Sequence, residues 1–190
     1  ELMKKYLEDD AKDPDSSNDF GKNIIPSMLD DGQKMYAYRF GGYWKDVGTL
    51  ESLWQANMDM IDDISLGKPN WQILSRTSAQ PPHYVGKTGS VKHSLVTEGC
   101  EIYGSVEDSV LSNGVIVEEG AVVRNSVVMA NAIIRRGAVV EYSILDENCC
   151  ISEGAIVGGP CDIGNPITVI AQDETVERGV AASGDIILKD

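Results

Sequence analysis

The second half of the chain repeats a short pattern of apolar, serine and glycine positions. Val117, Ile134 and Ile151 recur at every seventeenth position, and each lies three places before a Gly-Ala pair. A second series, of serines that each precede two apolar residues, keeps the same spacing: Ser109, Ser126 and Ser143, preceded by Ser94 at a slightly shorter interval. A repeat of this length fits a coil of three short strands, each with a small or β-branched residue pointing inward. The pattern therefore predicts a parallel β-helix of hexapeptide-like coils, in which residues 167–180 form a partial or capping coil.

The first third of the chain has helical periodicity with one alternating segment. Residues 2–12 place Leu2, Met3, Tyr6 and Leu7 on one helical face, and residues 34–40 alternate as a strand would. A longer helix is predicted after Thr49, a good N-cap, and it ends before Gly67-Lys68-Pro69. The apolar positions of this helix form one stripe: Leu50, Leu53, Trp54, Met58 and Ile61.

These segments predict three regions. Residues 1–67 are the incomplete end of an α/β domain, residues 68–84 form a linker with a Pro-Pro pair, and residues 85–190 form the β-helix. The fold class is mainly β, with a single-stranded β-helix preceded by an α/β remnant. Because the chain begins at Glu1 directly in a helical pattern, we expect it to be a piece of a longer protein.

Composition narrows the possible partners. The formal net charge is −14, whereas nucleic acids and anionic membranes require a basic surface, so neither is an expected partner. No apolar run has the length of a membrane span. The four cysteines form neither a CxxC pair nor a spaced Cys/His set, and they indicate free thiols in a reducing cytoplasm.

Enzymatic uses of a β-helix require histidines that this chain largely lacks. An acyltransferase of this type uses a histidine base on the coils, and only His83, in the linker, and His93, at the first coil, are available. A zinc site of the carbonic anhydrase type would need three histidines. The coils are therefore interpreted as a scaffold, an assembly surface or a regulatory surface.

Two segments before the coils could carry chemistry. In GGYWKDVGT, Asp46 could hold one vertex of Mg²⁺, Trp44 offers a flat face for a sugar ring, and Gly48 permits close approach of a ligand. In SNDFGKNIIP, Asp19 could accept hydrogen bonds from sugar hydroxyls, next to Phe20. Each segment also has a purely structural interpretation: Asp46 would bind local backbone N–H groups with Trp44 in the core, and Asp19 would cap a helix with Phe20 in the core.

The motifs SNDFGKNIIP, YWKDVGTLESLWQANMDM and QPPHYV, followed by hexapeptide coils, resemble the C-terminal part of bacterial glucose-1-phosphate adenylyltransferase (ADP-glucose pyrophosphorylase). This resemblance implies transfer of an adenylyl group from ATP to glucose 1-phosphate with Mg²⁺, giving pyrophosphate and the ADP-glucose used for glycogen synthesis. It further implies that Asp46 binds the metal and that Asp19, Phe20 and Trp44 line the sugar-phosphate site. A left-handed β-helix and a tetramer, or a hetero-oligomer with a sister subunit, also follow from the resemblance alone.

The chain lacks several motifs that the family contains. It contains no glycine-rich triphosphate loop, and it lacks the family's catalytic aspartate, Glu-Lys pair and sugar-phosphate serine. We therefore expect no catalytic residue in this chain and no activity of the chain alone. Two alternatives stay open: a non-catalytic regulatory or assembly subunit, and a sugar-phosphate nucleotidyltransferase for another base or sugar.

Overall fold

The computed structural model describes residues 1–67, 79–162 and 164–188. The chain forms two compact units, one comprising Glu1–Gly42 and the other beginning at Tyr43. The domain boundary predicted at residue 67 differs from this division and stays a prediction. In the structure, the helix after Thr49 packs with the coils. Residues 68–78 of the predicted linker lie outside the described residues.

The amino-terminal unit is a small helical cluster. Helix α1 (Leu2–Asp10) is followed by a π-helical turn at Phe20–Ile24, which continues directly into helix α2 (Ile25–Asp30). The core of this unit contains Tyr6, Ile24 and Met28. The other residues of the predicted apolar face of α1, namely Leu2, Met3 and Leu7, are exposed.

The strand predicted at residues 34–40 is absent, so that prediction is wrong. These residues have no regular secondary structure and pair with no strand in the described part of the chain. A strand exists only where its N–H and C=O groups bond to a neighbour. The alternating side chains of Tyr36, Tyr38 and Phe40 are 90%, 89% and 64% exposed, so they do not form a buried face.

The predicted parallel β-helix is confirmed, and its coils form three six-stranded parallel sheets. Sheet 1 contains β1 (Tyr84–Val85), β4 (Glu101–Ile102), β7 (Ile116–Val117), β10 (Ile133–Ile134), β13 (Cys150–Ile151) and β16 (Thr175–Val176). Sheet 2 contains β2 (Ser90–Lys92), β5 (Ser105–Glu107), β8 (Val122–Arg124), β11 (Val139–Glu141), β14 (Ile156–Gly158) and β17 (Val180–Ala181). Sheet 3 contains β3 (Leu95–Val96), β6 (Val110–Leu111), β9 (Val127–Val128), β12 (Ser143–Leu145), β15 (Thr168–Ile170) and β18 (Ile186–Ile187).

The strand register explains the period in the sequence. Ile133 pairs with Ile116 on one side and with Cys150 on the other, so the register advances by the same seventeen positions in both directions. In sheet 3 the step from Leu95 to Val110 is shorter, and the later step from β12 to β15 is longer. The periodicity weakens after residue 158 because extra residues are inserted there. The segment read as a partial coil continues all three sheets.

The interior of the coils is apolar and closely packed. In the four inner strands of each sheet, one apolar residue points inward and is 0% exposed: Ile102, Val117, Ile134 and Ile151 in sheet 1; Val106, Val123, Val140 and Val157 in sheet 2; Leu111, Val128, Leu145 and Ile170 in sheet 3. The glycines of the Gly-Ala pairs lie at corners with positive φ: Gly120 at 74°, Gly137 at 68° and Gly154 at 70°. Glycine adopts this conformation without steric cost, and the following alanine turns inward.

A column of buried hydroxyl groups accounts for the serine series. Its members are fully buried: Ser109, Ser126, Ser143 and Thr168. The hydroxyl of Ser126 accepts the backbone N–H of Ser143 at 3.2 Å and donates to the carbonyl of Arg124 at 2.6 Å. The N–H of Ser126 is bound in the same way by Ser109, at 3.1 Å. Serine therefore recurs because a short hydroxyl accepts the buried N–H of the next serine in the column and donates its own proton to a nearby carbonyl.

Helix α3 (Leu50–Asp62) covers the outer face of sheet 3. The predicted cap is confirmed, because Thr49 and Ser52 form a capping box. The buried part of this interface contains Met58 of the helix and Val127, Ile144 and Ile167 of the coils, with Leu53, Trp54 and Ile61 packed beside them. Leu50, a predicted member of the apolar stripe, is instead exposed. A separate 3₁₀ turn at Ile64–Gly67 follows the helix.

Candidate functional site

The segment that carries Trp44 and Asp46 is tied to α3 through one carboxylate. Oδ2 of Asp59 accepts the hydroxyl of Tyr43 at 2.9 Å and the ammonium of Lys45 at 2.7 Å. The amide of Gln55, one turn earlier on the helix, donates to Oδ1 at 2.9 Å. Asp59 thus collects three donors, of which two come from the residues on either side of Trp44.

The electrostatics of Asp59 follow from these donors. The hydrogen bond from Lys45 and then that from Gln55 lower the pKa of Asp59 from 3.8 to about 2. The carboxylate is consequently ionised throughout the neutral range. Its role was not recognised from the sequence, because it depends on a fold that brings residue 59 to residues 43 and 45.

Asp46 lies on an exposed turn between this anchor and the helix. Its Oδ1 accepts the backbone N–H of Gly48 at 3.1 Å, as the structural interpretation expected. Its Oδ2 accepts no hydrogen bond from any described residue. Three residues later Thr49 begins α3 through its capping box. The turn is therefore held at both ends and presents one carboxylate oxygen outward.

Trp44 does not fill the core. Its side chain is 75% exposed, although the residues on either side of it are bound to Asp59. An exposed indole on an anchored backbone is suited to pack on the flat face of a ligand. The structural interpretation is thus correct for the local hydrogen bond of Asp46 and wrong for the burial of Trp44.

Asp19 and Phe20 lie in the amino-terminal unit. Asp19 caps the π-helical turn, because its Oδ1 accepts the N–H of Lys22 at 2.8 Å. Asn23 accepts the backbone N–H of Asp19 at 3.1 Å through its side-chain oxygen. Phe20 is 48% exposed, so it is not a core residue. The capping interpretation of Asp19 is confirmed, and the substrate-binding role of both residues stays a prediction.

The outward oxygen of Asp46 is a suitable ligand for a hard cation that is also bound by the phosphates of a substrate. Mg²⁺ takes oxygen ligands and commonly uses one or two carboxylates together with phosphates. The outward oxygen of Asp46 supplies one such ligand. Among residues 1–67, 79–162 and 164–188, no cluster of three His, Cys, Asp or Glu side chains forms a metal site. Asp46 would therefore contribute a single vertex.

The two histidines do not form a catalytic site on the coils. Nδ1 of His93 lies 2.6 Å from Oδ1 of Asp108, and its Nε2 lies 3.6 Å from Oδ1 of Asp62 on α3. Carboxylates therefore face both ring nitrogens. His83 lies just before β1 and is exposed. This geometry gives no support to an acyltransferase base.

Comparisons with known proteins match both parts of the chain. The family model of nucleotidyl transferases matches residues 1–63, and that of the GlmU-like C-terminal hexapeptide matches residues 81–163. Glucose-1-phosphate adenylyltransferase of Clostridium perfringens (strain SM101 / Type A) is 54% identical over 127 residues, which are 65% of this chain and 33% of that protein. The enzyme of the same name from Bacillus mycoides (strain KBAB4) is 52% identical over 125 residues, 64% of this chain and 33% of that relative.

The chain is similar to the glucose-1-phosphate adenylyltransferases. The resemblance predicted from DFGK, YWKDVGT and the coils is thereby confirmed. The chain spans about a third of the length of the curated relatives it matches. In the described ranges, no helix is both long and apolar enough to cross a bilayer.

Proposed function

We propose that this chain is part of an enzyme that transfers an adenylyl group from ATP to glucose 1-phosphate. The products are pyrophosphate and ADP-glucose, the glucosyl donor for glycogen synthesis. The observation that carries the proposal is the YWKDVGT turn. It holds Trp44 exposed and one oxygen of Asp46 open, in a chain 54% identical to an adenylyltransferase over 127 residues.

The roles of the residues follow from their chemistry. Asp46 would hold Mg²⁺, which neutralises charge on the phosphates of the substrates when it is bound. Trp44 would pack against the glucose ring, and its anchored backbone limits the entropy lost on binding. Asp19 would accept hydrogen bonds from sugar hydroxyls through the oxygen that does not cap the turn, with Phe20 as an apolar neighbour. The roles of Asp19 and Phe20 are proposed for the unit Glu1–Gly42, and those of Trp44 and Asp46 for the unit that begins at Tyr43.

The test is Asp46→Asn in the full-length enzyme. Asparagine keeps the side-chain oxygen that binds Gly48 but removes the charge, so the turn is retained while metal binding is weakened. We expect ADP-glucose formation to fall by about 10²-fold or more, as when a group that stabilises transition-state charge is lost. Glu153→Gln, at an exposed position on the coils, is the matched control. Unchanged turnover in Asp46→Asn would contradict the proposed role.

Two further measurements limit the proposal. The purified 190-residue chain should form no ADP-glucose, because its sequence contains no glycine-rich loop to hold a triphosphate. Detectable product would contradict this expectation. A preference of the full-length enzyme for UTP or GTP over ATP would instead favour another sugar-phosphate nucleotidyltransferase.

An assembly role of the coils is the second candidate function. The outer faces of sheets 1 and 2 carry partly exposed apolar residues, among them Ile116, Ile133, Val122, Val139 and Ile156. Such rows suit a contact with another subunit, and a tetramer or a hetero-oligomer with a sister subunit is proposed. Light scattering of the full-length protein at micromolar concentration should give more than one subunit. A monomer would contradict the assembly role.

A reducing cytoplasm is the proposed location. All four cysteines are free thiols: Cys100, Cys149, Cys150 and Cys161. Burial raises the pKa of the Cys149 thiol to about 11, so this thiol stays protonated at neutral pH. Free cysteines are typical of proteins that remain in a reducing compartment.

A further inference from the structure

We propose that Asp59 is the positioning residue that orients Trp44 and Asp46 for substrate and metal. This inference rests on the proposed function, because it takes Trp44 as the residue that packs on the sugar and Asp46 as the residue that holds Mg²⁺. Asp59 lies in the second half of α3, and its role follows from the geometry of the turn that precedes this helix.

The first argument is the placement of the two donors from the turn. Tyr43 and Lys45 flank Trp44, and both reach the same oxygen of Asp59, at 2.9 and 2.7 Å. The residues on both sides of Trp44 are thus tied to the helix, and the anchored Lys45 directly precedes Asp46. Asp59 therefore fixes the backbone that carries Trp44 and Asp46. The 75% exposure of Trp44 agrees with this arrangement.

The second argument is that the anchor is partly shielded from water and is held by several donors. The side chains of Lys45 and Asp59 are only 26% and 24% exposed, so water screens this pair less than a surface pair. Gln55 holds the other oxygen of Asp59 from the same helix. The carboxylate cannot rotate away without losing three hydrogen bonds.

The third argument is that the turn has two separate anchors. Its far end is held by the capping box of Thr49 and Ser52, which does not involve Asp59. Loss of Asp59 should therefore release Trp44 while leaving α3 capped. Asp59 would act on the site without being needed for the helix itself.

The first experiment uses the 190-residue chain and does not depend on any activity. The three tryptophans are labelled with 5-fluorotryptophan and observed by ¹⁹F NMR, and the Trp44 resonance is assigned with Trp44→Phe. Asp59→Asn should shift and narrow the Trp44 resonance and leave that of Trp54, which is bound to Asn125, unchanged. Asp62→Asn is the matched control, because it makes the same chemical change on the same helix at a side chain that is 76% exposed. A Trp44 resonance that is unaltered in Asp59→Asn would overturn the proposal.

The second experiment uses the full-length enzyme. Asp59→Asn should raise KM for glucose 1-phosphate, and the Mg²⁺ concentration for half-maximal rate, by about tenfold or more, as expected for a group that orients ligating residues. The exchange variant Lys45→Asp/Asp59→Lys should recover part of the loss by restoring an opposite-charge pair. A lower Tm with both constants unchanged would show a purely structural role and would overturn the proposal. If the full-length enzyme proves to have another activity, the proposed function fails, while the ¹⁹F result still decides whether Asp59 orients the turn.

Discussion

The indole N–H of Trp54 donates a hydrogen bond to the backbone carbonyl of Asn125 at 2.7 Å, joining α3 to a corner of the coils. The same ring meets Tyr142 edge to face, with ring centroids 5.0 Å apart and an interplanar angle of 87°. Asn125 and Tyr142 both have positive φ, and they directly follow the paired residues Arg124 and Glu141, so they occupy equivalent corners of adjacent coils. One tryptophan thus contacts two successive coils.

Replacement of Trp54 should separate its role from that of Trp44. Trp54→Phe removes the donor to Asn125 and should lower the free energy of unfolding by about 1–2 kcal/mol, because a partly buried carbonyl loses its partner. Trp44→Phe, at an exposed position, should change it by less than about 0.5 kcal/mol. Urea unfolding of the 190-residue chain measures both. Equal effects of the two variants would contradict the assigned role of Trp54.

Two glycines with similar backbone angles should respond very differently to alanine. At Gly158, with φ of 77°, a Cβ would lie 2.0 Å from the carbonyl oxygen of Glu141 and 2.5 Å from Oγ of Ser143. At Gly137, with φ of 68°, a Cβ would meet no atom within 4 Å. Gly137→Ala should cost only the left-handed conformation, about 1–2 kcal/mol. Gly158→Ala should cost about 3–5 kcal/mol, because overpacking is added. Thermal unfolding of both variants tests this order.

The buried serine column should be sensitive to loss of a single hydroxyl. Ser126→Ala leaves the buried N–H of Ser143 without its acceptor and should cost about 1–3 kcal/mol, whereas the carbonyl of Arg124 still accepts the N–H of Tyr142. Ser152→Ala is the control, since the half-buried Ser152 hydroxyl binds no other described residue. Chemical denaturation should show a clear loss only for Ser126→Ala. A loss of the same size at Ser152 would indicate a general effect of serine removal.

The Asp59 anchor should lose its contribution to stability in acid. Its pKa is about 2 in the folded chain, against an ordinary value of 3.8. Because the folded pKa is the lower one, the contribution is complete above the ordinary value and is lost as the pH falls through about 2. The difference in unfolding free energy between the parent chain and Asp59→Asn should therefore be constant from neutral pH to about 4 and shrink below it. A difference that does not depend on pH would contradict an ionic anchor.

The coils could be predicted from the sequence because every coil needs the same kinds of residue at the same inward positions. Each strand needs one small or β-branched residue inside, as at Val117, Ile134 and Ile151, so the same steric constraint recurs once in every coil. The cap of α3 can also be predicted from the sequence, since Thr49 and Ser52 are only three positions apart. The exposure of Trp44 was harder to predict, because the same residue in the same motif fits either a core or a ligand surface.

The strand expected at residues 34–40 shows the opposite limit. The alternation of Tyr36, Tyr38 and Phe40 predicts which side chains would share a face. A strand also needs a neighbouring strand with which its backbone forms hydrogen bonds. The local pattern contains no information about that neighbour. Helix α3 shows the same limit, because its apolar stripe predicts a buried face but does not say that this face packs on Val127 and Ile144 of the coils.

The sequence by itself determined the period of the coils, the inward columns, the capped helix and the resemblance to the glucose-1-phosphate adenylyltransferases. Each of these depends on spacing along the chain or on a short motif. Only the tertiary structure decided that α3 covers sheet 3, that Trp54 reaches Asn125, and that Asp59 anchors both neighbours of Trp44. The hydrogen bonds among these contacts join residues that are 14 to 71 positions apart. Their energy depends on distances and burial that exist only once the chain is folded.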